Sequence, residues 1–318
     1  VSSVRRLHVV SGKGGTGKTT VAAALALALA EEGRRTLLVE VEGRQGIAQL
    51  FETEALPYEE RRIAIGPGGG EVFALAIDAE RALLDYLQMF YKLGGAGRAL
   101  RRIGAIDFAT TVAPGLRDVL LTGKVCEAVR RRGPDGGWAY DAVVMDAPPT
   151  GRVTRFLAVN DEVAGLARVG PIHHQAQAVM RVLKSAETAV HLVTLLEEMP
   201  VQETADGVAE LRAADLPVGG TVVNMVRPAL DSTAATPLPA PNDLAAALTR
   251  AGLRDAEALT APLLSQGREH VTRLALEATQ RDELARLDLP VRELPLLPDG
   301  VDLAGLYRLA RLLRAQDW

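Results

Sequence analysis

The chain has 318 residues, of which 48% are hydrophobic and 24% charged, and its net charge is −4 with acids and bases interspersed. That is ample apolar sequence for a buried core, and the charge balance argues against a general nucleic-acid or membrane-surface binder. A single cysteine, Cys126, excludes an internal disulfide framework and a cysteine-based zinc cluster within one chain.

Leu7 to Val10 is a short apolar run entering a glycine-rich loop, and Thr19 to Glu32 continues as an Ala/Leu helix closed by Gly33. Thr36 to Val41 predicts a second buried strand, and Gly43 to Pro57 mixes a short helical pattern with loop residues. The turn PGGG at Pro67 to Gly70 leads into a third strand, Val72 to Ile77. Residues 79–132 carry helical spacing with breaks at Gly94 to Gly97 and Pro114-Gly115, which predicts a helical subdomain inserted in one domain spanning 1–318. Within it Leu83, Leu87, Met89, Phe90 and Tyr91 are spaced as a core face rather than a partner groove. Arg98, Arg101, Arg102 and Arg130 to Arg132 fit solvated faces and helix C-terminal charge. Ala142 to Met145, Ala189 to Leu195, Val218 to Val223 and Val291 to Leu294 read as further strands alternating with helices. The fold class that follows is α/β, a mostly parallel sheet with helices on both faces. Pro228 to Pro241 carries four prolines and predicts a mobile surface loop, followed by a helical segment at 243–287 and an amphipathic helix at 302–315. No apolar run is long enough to cross a bilayer and the N-terminal VSSVRRLHVV lacks a signal-peptide core, so the expected location is the cytoplasm.

The loop VSGKGGTGKTT, Val10 to Thr20, can be parsed in two ways. Gly12, Gly14 and Gly17 spell the dinucleotide fingerprint, with Glu40 near the position of its ribose-binding acid. The same residues spell G-x-x-x-x-G-K-T, a P-loop for a nucleoside triphosphate. Only the second gives every residue a task. Backbone N–H groups of Gly14, Gly15, Thr16, Gly17, Lys18 and Thr19, with Thr20 in the same first turn, meet phosphate oxygens at a helix N-terminus. Lys18 neutralises β/γ charge, and the Thr19 hydroxyl serves Mg²⁺. A second motif, VVMDAPPTG at Val143 to Gly151, supports this parsing: Asp146 ends a buried strand where it can hold the metal's water shell, and Gly151 can approach the γ-phosphate through its N–H. The expected cofactors are ATP and Mg²⁺, and Glu40 becomes an ordinary polar residue at a strand end.

Lys13 is a second lysine in the loop, five positions before Lys18. KGGTGKT resembles the deviant P-loop of the family that contains the nitrogenase iron protein, the Min septum-positioning ATPase and the arsenical-pump ATPases, which implies a SIMIBI-type P-loop fold. In that family the extra lysine crosses a dimer interface to the partner's nucleotide. Further stretches are similar to the arsenical-pump and tail-anchored-protein-targeting branch, in an actinobacterial-type form. DAPPTGRVTRFL (Asp146 to Leu157) resembles its second switch, and APGLRDVLLTG (Ala113 to Gly123) the helix before it. VTLLEEMPVQET (Val193 to Thr204) is similar to its strand and following helix. VVNMV (Val222 to Val226) resembles the strand whose asparagine, here Asn224, contacts adenine, and an amide can both accept from adenine N6 and donate to N7. ELPLLPDGVDLAGL (Glu293 to Leu306) resembles its adenine loop, which would place Pro295, Leu297 and Val301 at the base.

The resemblance implies an ATP hydrolase that pairs with itself or a paralogous chain and acts on a protein client. In the first switch, VEVEGRQGIAQLF puts Glu42 where the family has an aspartate that positions water, and Gln45 where it has a histidine. One additional methylene moves the carboxylate by roughly 1.5 Å, and misplacement on the order of 1 Å can cost about a hundredfold in rate, so either slow hydrolysis or a compensating shift of the loop is expected. The alternative function is a nucleotide-binding regulatory or scaffold protein with little or no hydrolysis. Arg152 replaces the second-switch histidine. One cysteine cannot form the thiolate set of an arsenite site, and the interval from Leu157 to His191, with Met180 as its one methionine, is too short for a Met-rich client groove. His173 and His174 lack partners for zinc and fit a helix-start or surface role.

Overall fold

A computed structural model of the protein describes residues 5–31, 33–91, 114–166, 171–227 and 238–316. The strands among these are β1 (Leu7–Gly12), β2 (Arg35–Glu40), β3 (Arg61–Ile65), β4 (Glu71–Ala76), β5 (Ala142–Asp146), β6 (Thr188–Thr194), β7 (Val218–Val226) and β8 (Val291–Pro295). The helices are α1 (Lys18–Leu29), α2 (Gly46–Leu50), α3 (Ala79–Tyr91), α4 (Pro114–Arg130), α5 (Thr150–Leu166), α6 (Pro171–Leu183), α7 (Glu198–Ala213), α8 (Pro241–Arg250), α9 (Ala256–Ala285) and α10 (Leu303–Arg314). One sheet has the order β3-β4-β2-β5-β1-β6-β7-β8, parallel throughout except for the antiparallel β3–β4 pair.

The apolar runs of the central strands divide alternately between two cores, as strands covered on both faces must. Leu7, Val9, Leu37, Val39, Val143 and Met145 face one core, while Val10, Leu38 and Val144 face the other. The direction of winding reverses at β1, and ligands of such sheets bind beyond the carboxyl ends of the strands at that point. Helix α1 leaves from there. Every residue from Val21 to Ala28 is buried, because α1 lies between the sheet and α10. Its small side chains permit close approach: Gly66 and Gly70 lie so near the backbone at Ala30 that a Cβ on either would collide with it. The glycine-rich turn after β1 therefore sits on a rigid element.

The parallel α/β prediction holds, and β3 is an addition to it. Its sequence, Arg61-Arg62-Ile63-Ala64-Ile65, has no buried residue and pairs charges with Glu54 and Glu71. Charge blunts an exposed edge and removes the apolar run that reveals a strand. The helical segment predicted at 243–287 forms two helices, divided at 251–255, where Gly252 takes φ of 81°. Helices α3 and α4 bound the predicted helical region at 79–132. Residues 92–113 between them, with Gly94 to Gly97, Arg98, Arg101 and Arg102, lie outside the described residues, as do the side chains of Leu87, Met89, Phe90 and Tyr91. Residues 228–237 of the proline-rich stretch also lie outside them. Cys126 is buried, which pushes its thiol up to about 12. Among the described residues no helix is long and apolar enough to cross a membrane.

Candidate functional site

The loop after β1 folds on its own atoms before meeting any ligand. Thr16 is 1% exposed, and both its hydroxyl and its N–H are directed at the Lys13 carbonyl, at 2.8 and 3.3 Å. This corrects one expectation, since the Thr16 N–H closes the turn rather than standing open to a ligand. Gly17 is the N-cap of α1 at φ 83°, a left-handed conformation costly for other residues, and Asn224 leaves no room there for a Cβ. The first intrahelical bond described runs from Val21 N–H to the Gly17 carbonyl. The N–H groups of Lys18, Thr19 and Thr20 thus belong to the first turn, which has no intrahelical acceptors. Gly14 and Gly15 are exposed beside them. Among the described residues Lys18 makes no ion pair, so its ammonium is available to an anion. Gly12 packs against the Val193 backbone too closely for a side chain.

Thr19 and Asp146 come from elements 127 residues apart, and the Thr19 hydroxyl donates to Asp146 Oδ2 at 2.7 Å. Asp146 is 8% exposed, and its Oδ1 is buried without a hydrogen-bond partner. Glu40 stands opposite it in the β2–β5 register, and Glu42 raises its carboxyl further. An orphaned carboxylate oxygen beside a hydroxyl and two more acids suits a hydrated divalent cation. Among the described residues no group of three His, Cys, Asp or Glu side chains encloses a metal, so the remaining donors would be phosphate and water. Burial, then Glu40 and Glu42, push Asp146 up to about 6 against the opposing pull of Thr19 and Lys18. Because the folded value exceeds the ordinary 3.8, the stabilising contribution is complete below about pH 4 and is lost as pH rises through about 6. That offset corresponds to about 3 kcal/mol. Metal-free Asp146→Asn should accordingly be more stable than the parent by about 1–3 kcal/mol at pH 7.5 and no more stable at pH 4. Melting curves at the two pH values check this, and an equal or lower midpoint at pH 7.5 would contradict it.

Glu40 is more than a polar strand end. Its carboxylate accepts from the N–H groups of Gln45 (2.5 Å) and Ile47 (3.2 Å), capping the first turn of α2. Gln45, at φ 57°, donates to and accepts from the Leu56 backbone at 3.3 and 2.7 Å. These bonds shape the loop that carries Glu42, whose Oε2 lies 3.8 Å from Arg44 Nε. The same loop rests on α1, since a Cβ on Gly46 would lie 3.2 Å from Thr19 Cγ2. On the other side Ser11 donates to the Pro148 carbonyl at 2.6 Å, tying the start of the P-loop to the chain after Asp146. Gly151 is exposed in the first turn of α5 with open space around it.

Lys13 turns away from the loop and pairs with Glu203 of α7 at 2.7 Å, both side chains about one-third exposed (31% and 37%). Asn224, 5% exposed, donates from Nδ2 to the Thr16 carbonyl at 2.9 Å and braces the P-loop from β7. Asn224, Met225 and Leu296 share a wall of a cleft of about 910 Å³ whose other side is α9. Leu296, not Pro295, Leu297 or Val301, reaches that cleft. Leu297 packs against the core beside Gly305, because alternate residues of an extended segment face opposite ways. His173 bonds the Ala164 carbonyl at 3.0 Å and packs on His174 near the start of α6.

The family model described as anion-transporting ATPase matches residues 5–186. The ATPase BagA of Mycobacterium tuberculosis is 53% identical, over 98% of this chain and 93% of its own length. The ATPase GET3 of Kluyveromyces lactis is 27% identical, over 71% of this chain and 73% of that protein. A protein of Aquifex aeolicus named as an arsenical pump-driving ATPase is 24% identical, over 70% and 81%.

Proposed function

This chain belongs to the anion-transporting ATPase family, and from that premise we propose that it binds Mg²⁺-ATP, closes a dimer around the nucleotide and hydrolyses it to drive a conformational switch on a protein partner. The observation that carries the reading is the 2.7 Å contact between Thr19 and Asp146 at the N-terminus of α1, whose first residue is Lys18. A P-loop needs a hydroxyl, a carboxylate and an ammonium at this point, which is the support the pair and Lys18 lend to the reading.

The triphosphate lies along the N–H groups of Gly14, Gly15, Gly17, Lys18, Thr19 and Thr20. Thr19 and Asp146 would hold Mg²⁺, which would supply charge neutralisation to the phosphates. Glu42 accepts a hydrogen bond from water and aims its oxygen at the γ-phosphorus. The new O–P bond forms in line as the bond to the β–γ bridging oxygen breaks, leaving ADP and phosphate, which takes the water's proton. Lys18 and N–H groups offset the charge on the equatorial oxygens, with Gly151 adding a donor from α5. Asn224 offers its second amide N–H and its oxygen to adenine beside Leu296, with Pro295, Leu297 and Val301 shaping the loop behind. Lys13 leaves Glu203 on dimerisation and reaches the partner's nucleotide, whether that partner is a second copy or a paralogue.

The Glu42 carboxylate sits one methylene further out than an aspartate would. Glu42→Asp is expected to raise the single-turnover hydrolysis rate, by up to about a hundredfold. An unchanged rate would remove Glu42 from the mechanism. The Arg44 guanidinium 3.8 Å from Glu42 favours a second reading, in which the acid is held back and the chain is a nucleotide-responsive binding module with little turnover. Tight ATP binding and dimerisation with negligible hydrolysis, in both the parent chain and Glu42→Asp, would select it.

A further inference from the structure

Beside Glu42 lies a cavity of about 120 Å³ that the proposed hydrolytic scheme leaves unused. Its polar walls are Glu42 and Arg44 from the loop after β2, Arg152 from α5 and Arg117 from α4, over a floor that includes Pro148 and Phe156. Three guanidiniums converge there on few acids. Arg44 is near Glu42 at 3.8 Å, and Arg152 Nη2 donates to Asp118 Oδ1 at 2.8 Å. Asp118 is also within the field of Arg117 and Arg155. Among the described residues Arg117 makes no ion pair. A guanidinium carries five N–H donors, so these contacts leave most of the donor capacity unspent. With two carboxylates against the three arginines of the walls, the cavity carries net positive charge.

We propose that this pocket is a binding site for a tetrahedral oxyanion, occupied by the inorganic phosphate that leaves the γ-position. At about 30 Å³ per water the space suits about four waters or one such ion. The planar forks of arginine match its oxygens, and the Glu42 carboxylate accepts from the hydroxyl of a protonated phosphate. Position supports the same assignment. Glu42 lines the pocket and also acts on the Asp146 carboxyl, and the walls come from the segments that follow β2 and β5. Arg117 adds α4, which leads out of the region at 92–113. A phosphate held there bridges both nucleotide-contacting loops to α4, and its departure releases that bridge. The assignment of the ion as a product rests on the proposed ATP hydrolysis.

The P-loop also binds phosphate, so the test begins from full-length Lys18→Ala, titrated calorimetrically with inorganic phosphate. The expected result is one remaining phosphate site, weakened at least tenfold by adding Arg117→Gln, an exposed position, and restored in part by Arg117→Lys. No phosphate binding by Lys18→Ala, or binding indifferent to Arg117, would overturn the proposal. ATP binding retained by Lys18→Ala would instead break the P-loop reading and leave the pocket standing. In the parent chain, single-turnover hydrolysis followed by acid quench and by a fluorescent phosphate sensor should show release lagging behind cleavage. Arg117→Gln should shorten the lag at an unchanged cleavage rate. Phosphate binding without a lag would overturn the product assignment and make the source phosphate from solution.

Discussion

Lys18→Ala is expected to abolish measurable ATP binding while leaving the fold intact. Lys18 is the first residue of α1 and, among the described residues, makes no salt bridge; its charge acts on the Asp146 carboxyl, which without it is protonated more readily rather than stranded. The helix behind it is held by burial of Val21 through Ala28, which the substitution does not touch. What disappears is an ammonium among the first-turn N–H groups, where it would make charge-assisted contacts to two phosphates worth about 1.5–3 kcal/mol each. The predicted loss of affinity is on the order of 10²–10⁴. Titration calorimetry with Mg²⁺-ATP, beside a melting curve to confirm folding, measures it, and affinity within about threefold of the parent would defeat the phosphate-cradle assignment.

Lys13→Ala should separate binding from turnover. In the single chain Lys13 sits on Glu203, a partly exposed ion pair worth about 0–1 kcal/mol, which is easily exchanged for a phosphate. A cation supplied in trans to a phosphoryl transfer is worth about 10³–10⁵ in rate. The variant should therefore bind ATP within about threefold of the parent and hydrolyse it at least about a hundredfold more slowly. Mixing makes the result specific. Glu42→Gln keeps Lys13 and loses the acid proposed to position water, so in a mixed dimer it can complete the site of a Lys13→Ala chain. Two inactive preparations should recover activity together, and failure to do so would exclude exchange of Lys13 between chains. Glu203→Gln removes the intrachain partner and should lower the chain concentration at which hydrolysis is half-maximal.

These residues differ in how far they can be read from sequence. Lys18, Thr19 and Asp146 stand in local motifs, strand–loop–helix and strand–acid, whose spacing carries the chemistry, and the structure brings them together. The parallel sheet was legible for the same reason, because strands buried on both faces are continuous apolar runs. Strand β3 was not, since an exposed edge carries Arg61 and Arg62 instead. Glu203 carries no local signal: its contact with Lys13 depends on how α7 packs beside the P-loop. The capping role of Glu40 carries no local signal either, because it depends on the turn geometry of Gln45. A period-two signal was present at Leu296, since the β-strand before it sets which of two successive leucines faces the cleft. Arg152 departs from the second-switch pattern in the sequence itself, but its pairing with Asp118 and its place beside Arg44 and Arg117 emerge only when α4 and α5 are packed.

The central claim is that a dimer closed around ATP performs hydrolysis. It is tested most directly by the single-turnover rate per chain, with Mg²⁺ and saturating ATP, measured across a wide range of chain concentration. A rate that rises with concentration and levels off, in step with a doubling of mass in ATP but not ADP, is the predicted result. A rate per chain that is constant down to concentrations where light scattering finds only single chains would contradict it.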